Sequence, residues 1–132
     1  GISEKGTGLS ADEIKSLTKR QAIEIYRKHY YIPSKSDRLP EHLQEAFFDS
    51  VVNQGISRAT KILQAAANHK NSKGSKIAVD GRIGNQTLKA VQNLESERFR
   101  AFRVLHYAQI TLKRPDKYEK YYYGWFRRAL SL

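Results

Sequence analysis

The sequence predicts an all-α fold of six or seven helices. Three observations carry that expectation. Two capping boxes open the chain's first helices, apolar residues recur at helical spacing in the later ones, and no strand pattern survives inspection. The short IAVDG run ends at once in a turn.

In order, Ser10-Ala-Asp-Glu13 starts a short helix, and Thr18-Lys-Arg-Gln21 starts a longer one. The second is expected to bury a face of Ala22, Ile23, Tyr26 and Tyr30, and Pro33 ends it. Pro40 suits the first turn of a third helix, reaching about Asn53, and Gly55 suits its stop. A fourth helix spans about Ser57 to Asn68 with Ile62, Leu63, Ala66 and Ala67. NHKNSKGSK, from Asn68 to Lys76, reads as a flexible basic loop.

In VDGRIGNQTLKAVQ, Asp80 can accept from backbone amides, and Gly81 supplies a turn's positive φ. Asn85 can cap a helix carrying Leu88 and Val91 inward. Two helical segments close the chain, Arg98 to Leu112 and Asp116 to Leu130, separated by Pro115.

Composition narrows the function classes. One domain of 132 residues, with 39% hydrophobic residues and 11% aromatics, has enough apolar surface for a core. The absence of cysteine excludes disulfides, thiolate metal sites and cysteine nucleophiles. The four histidines show no paired ligand spacing, so neither a metal nor another cofactor is expected. There is no membrane-span-length apolar run and no signal-peptide pattern. The 24 Lys and Arg against 13 acids give a net charge of +11, a field that gathers anionic partners: nucleic acid, acidic lipid or bacterial cell wall. No recognition-helix or base-stacking motif accompanies the charge, which makes nucleic acid the weakest of these.

The pattern D-G-x-x-G-x-x-T-L-x-A, on Asp80, Gly81, Gly84, Thr87, Leu88 and Ala90, resembles the core of bacterial peptidoglycan-binding modules. LTKRQAIEIYRKHYY, LPEHLQEAFFDSVVNQG and RATKILQAA precede it, and YYYGWFRRA follows. This ordered set resembles glycoside hydrolase family 108, lysozyme-like muramidases also described as secretion activator proteins. The resemblance implies a lysozyme-like helical domain, with 1–68 the remaining part of a catalytic domain and 69–132 a peptidoglycan-binding segment packed on it. It implies bacterial peptidoglycan as partner, in the periplasm or on the cell-wall side, or for a phage endolysin.

Family members place a catalytic glutamate in E-G-G-Y, before a G-I-[TS] tripeptide. Gly1-Ile2-Ser3 matches the tripeptide, but no Glu-Gly-Gly occurs in the chain, so it is expected to be inactive as it stands. Ser3 and Asp49 are the candidate helpers in catalysis. The family position suggests that Ser3 orients water or substrate. Asp49 lies among Phe47, Phe48, Val51 and Val52, with Asn53 one turn later on the same face. Either the pair ties the helix to a neighbour or it lines a sugar cleft. Asn53, Tyr30, Asp80, Thr87 and Trp125 are the candidate substrate-binding residues, with packing the competing role for Tyr30 and Trp125. Arg127 and Arg128 read as helix-end charges.

Overall fold

The computed structural model describes residues 8–131, the side chain of Tyr26 excepted. The expected all-α architecture is found: seven α-helices and no strand among the described residues. They are α1 (Ala11–Lys15), α2 (Lys19–Tyr26), α3 (Glu41–Gln54), α4 (Ile56–Lys70), α5 (Asn85–Ala90), α6 (Ser96–Lys113) and α7 (Pro115–Ser131). A π-type turn, Arg27–Tyr31, extends α2, and a 3₁₀ turn, Ser36–Arg38, leads into α3.

Both capping boxes form. Ser10 Oγ accepts from Glu13 N at 3.2 Å, Thr18 Oγ1 accepts from Gln21 N at 3.1 Å, and each partner side chain returns the bond. Each box satisfies two backbone donors that the start of a helix leaves open. Helix α2 departs from expectation at Ile23, which is 56% exposed, so the face proposed around it is not a core face.

The core lies between α3 and α4 and is closed by α5 and α6. Leu43, Ala46, Phe47 and Val51 on α3 meet Ala59, Ile62, Leu63, Ala66 and Ala67 on α4. This i, i+3, i+4 spacing places one apolar stripe on each helix. Ile83, Val91, Leu94 and Phe99 complete the same cluster. Gly55, at φ 89°, joins the two helices with a one-residue break, a conformation that a residue with a Cβ rarely adopts.

Several boundaries shift by a residue or two. Pro40 is the N-cap of α3, and α4 runs on to Lys70 into the expected loop. Gly84, not Asn85, is the N-cap of α5, and no side chain caps that helix; Asn85 is its first helical residue. Helix α6 faces the core along Phe99, Arg103 and Tyr107, at i, i+4 and i+8, while Leu105 is 47% exposed.

Candidate functional site

The glycine turn is assembled around one buried side chain that the sequence reading did not single out. Gln64, on the core side of α4, accepts from Gly81 N at 3.0 Å through Oε1. Its Nε2 donates to Asp80 Oδ1 at 2.9 Å, to Arg82 O at 2.9 Å and to Thr87 Oγ1 at 3.1 Å. A buried amide with all its groups engaged makes a neutral joint between helix and turn.

Asp80 also accepts from Arg82 N at 2.9 Å. The Gln64 hydrogen bond first, and then the Arg82 amide, hold its carboxyl below the usual value. Thr87 is buried. Gly81 is required twice over: its φ is 78°, and a Cβ there would lie 2.8 Å from Ser57 Oγ. From the other side, Lys35 Nζ donates to Ile83 O at 3.0 Å, tying the connector before α3 to the turn.

Asp49 sits in a different kind of joint. Arg128 on α7 donates to it from Nη2 at 2.6 Å and from Nε at 3.0 and 3.2 Å. Arg103 on α6 forms an ion pair with its Oδ2 at 2.7 Å, without hydrogen-bond alignment. The Arg103 side chain is fully buried and that of Asp49 is 12% exposed. Both carboxylate oxygens thus face guanidiniums, and α3, α6 and α7 are clasped at one point. Arg128 is more than a helix-end charge, because it reaches across to another helix. Asn53 Nδ2 donates to Asp49 O at 2.8 Å, which directs this amide back along α3.

Trp125 packs α7 on α6. Its ring stacks on Tyr107 at 5.1 Å between centroids and on Tyr121 at 5.7 Å, and it tilts against Tyr118 at 5.6 Å. Asn53 and Trp125 together line a hollow of about 100 Å³, with Arg58 and His106 beside them. Burial first, then the Arg58 cation, holds the His106 imidazole below its ordinary value.

The structure thus brings the candidates together in two groups, Asp80 with Thr87 around Gln64, and Asn53 with Trp125 beside the Asp49 clasp. Tyr30 stands apart from these groups, half-buried in the π-type turn, where its carbonyl accepts from Ser34 N at 3.0 Å. Ser3 lies outside the described residues.

Gln64, Arg103 and His106 escaped the sequence reading. A polar Gln inside ILQAAA and an Arg midway between Phe99 and Tyr107 were the available signals. His106 had none, since its setting depends on four helices meeting. Among the described residues no group of His, Asp and Glu could hold a metal ion. No described helix is long and apolar enough to cross a membrane.

Comparison with known proteins assigns both parts of this body. Residues 2–55 match the family described as Glycosyl hydrolase 108. Residues 58–130 match the family described as Predicted Peptidoglycan domain. The first match ends at the α3–α4 break and the second begins inside α4. No curated protein matches the chain. Among solved structures, that of Brucella abortus SagA superposes with a TM-score of 0.64 at 27% identity, covering 96% of this chain and 72% of that one. The peptidoglycan match spans more than half of the chain, which therefore belongs to the family described as Predicted Peptidoglycan domain and carries a Glycosyl hydrolase 108 segment in front of it.

Proposed function

We propose that the chain is the wall-gripping and cleft-supporting part of a muramidase-type peptidoglycan hydrolase. It would act on the glycan of the bacterial wall from the periplasmic or cell-wall side, or in phage lysis. The observation that carries this reading is the order of the two matched segments along one continuous helical body. The Asp49 clasp supports it, because it joins α3 of the hydrolase segment to α6 and α7 of the peptidoglycan segment. A charge of +11 suits a wall rich in carboxylates and phosphates.

In this reading residues 1–68 supply the remaining wall of the catalytic cleft, and residues 69–132 grip the substrate. Asn53 and Trp125 border the hollow that receives the wall, Asp80 and Thr87 hold the turn beside it, and Tyr30 rims the cleft. Ser3 orients water or substrate, and Asp49 keeps the cleft helix in place. Glycoside hydrolysis needs a carboxylic acid aimed at the leaving oxygen. Asp49 has both oxygens against arginines, and no Glu-Gly-Gly occurs in the 132 residues. The chain on its own is therefore a binder, and cutting requires the family glutamate.

The test compares two proteins on purified peptidoglycan: this chain, and the chain extended at its start by a family segment bearing Glu-Gly-Gly-Tyr. The extended form should clear the suspension and release muropeptides, while the chain alone sediments with the wall and leaves it intact. A well-folded extended protein that releases nothing removes the hydrolase reading. A second reading, a purely non-catalytic wall-binding module, is favoured by the internal engagement of Asp49 and Asp80 and would survive that result. Loss of co-sedimentation at low salt removes both.

A further inference from the structure

Two neighbouring hollows share Arg58 and His106. The smaller, about 100 Å³, lies where the end of α3, the start of α4, α6 and α7 meet, with Gln54, Tyr118 and Trp125 in its lining. The larger, about 410 Å³, runs between α4 and α6 to Val79, over Phe102 and Leu105, with Lys61 beside it. Sharing two residues makes them one groove, leading from the start of the glycine turn to Trp125. Val79 and Leu105 are each 47% exposed along it, although both are apolar.

Three features define what would fit. Arg58 and Lys61 are cations, and no Asp or Glu lines either hollow. The larger hollow offers an apolar floor of Ile62, Ala65, Val79, Phe102 and Leu105, a surface that suits methyl groups. Among the aromatics at the groove's end, Trp125 already stacks on Tyr107 and Tyr121 and tilts against Tyr118.

We infer that this groove binds the peptide of the wall and not its glycan: a short acidic peptide with methyl-sized side chains. Its carboxylates lie against Arg58 and Lys61, and its methyls rest on Phe102, Leu105 and Val79. The inference rests on the wall-binding reading above and narrows it to one chemical component. The charge pattern selects this occupant, because an uncharged glycan has nothing to offer two cations without a nearby acid.

The experiment titrates the full chain by calorimetry with peptide released from purified peptidoglycan by an amidase, and separately with an N-acetylglucosamine oligomer, a glycan that carries no carboxylate. The released peptide should bind, and the uncharged glycan should neither bind in the groove nor compete. Arg58→Gln with Lys61→Gln should weaken the peptide by about tenfold or more, the scale of losing a charge-assisted contact. Both side chains are exposed and outside the core cluster, so the fold should persist. Lys73→Gln with Lys89→Gln removes the same charge from exposed positions that line neither hollow, and should change affinity by about twofold or less.

Equal weakening by the two double variants would reduce the effect to overall charge and overturn the inference. So would competition by the uncharged glycan. Intact wall that sediments the chain while released peptide fails to bind would overturn it and leave the wall-binding reading standing. Failure of both the intact wall and the released peptide to bind would remove both readings.

Discussion

Asp49 and Asp80 are the two aspartates that the sequence offers for contact with sugar, and the fold uses them in opposite ways. Asp49 is held by charge, between Arg128 and a fully buried Arg103, where three helices meet. Asp80 is held by neutral donors, the amide of Gln64 and the backbone of Arg82, at the edge of a turn. A charged joint in a low-dielectric setting resists separation of its partners, because removing one strands the other. A joint of neutral donors around an exposed carboxylate fixes backbone direction, and breaking it leaves a charge that water can solvate. Asp49 therefore governs whether the helices stay together, and the Gln64–Asp80 node governs the shape of the turn.

The sharpest way to break this comparison is Asp49→Ala. It leaves Arg103 buried without its counter-ion and should cost about 3–5 kcal/mol in urea unfolding. Adding Arg103→Met should recover a large part of that loss. If the single variant costs no more than a surface ion pair, the clasp does not hold the helices. Next comes Gln64→Ala, which removes four hydrogen bonds at once and should cost roughly 2–3 kcal/mol. Hydrogen exchange should rise first at Gly81 and Arg82, whose amides the Gln64–Asp80 node engages. Protection unchanged there would mean that the turn keeps its shape without Gln64.

Gly81→Ala should cost roughly 1–2 kcal/mol, from the positive φ and the contact with Ser57. Ser57→Gly in the same protein should return only the steric part, because the backbone conformation stays strained. Full recovery in the thermal midpoint would show that φ contributes nothing.

The smallest effect is expected at Glu95, an exposed charged contact that sets a lower mark for the Asp49 joint. Glu95 bridges Arg98 and Lys70, and these partners push its carboxyl down to about 2 from an ordinary 4.5. A carboxyl depressed in the folded state stabilises above its unfolded pKa, and that contribution fades as pH falls through the folded value. The stability gap between the native protein and Glu95→Gln should therefore be full above about pH 4.5 and shrink toward pH 2. It should also narrow with added salt, as exposed pairs do. A gap independent of pH across that window would remove the bridge from the account.

Much of the fold was legible because its signals are local. Capping boxes name their own partners three residues away, and Gly55 and Gly81 mark backbone that other residues rarely adopt. The stripes on α3 and α4 follow from helical period alone. Ile23 misled because periodicity shows that a face is apolar without showing that anything covers it. Asn85 misled because the helix starts one residue earlier, with Gly84 as an N-cap that uses no side chain and Asn85 as the first helical residue. At the candidate site, Asp49, Asn53, Asp80, Thr87 and Trp125 were legible as unusual residues, while their partners were not. Arg128 lies 79 residues from Asp49, and Gln64 lies 16 from Asp80. No local pattern encodes such a pairing.

The sequence by itself determined the helices, their breaks, the absence of thiol chemistry, the strong positive charge and the family pattern around Asp80 to Ala90. All of these follow from residue type and short spacing. Only the tertiary structure decided that Asp49 meets two arginines, that Gln64 carries the turn, and that Arg58 and His106 join two hollows into a groove. Those outcomes depend on which faces of distant helices come together, and that is set by packing of the whole core.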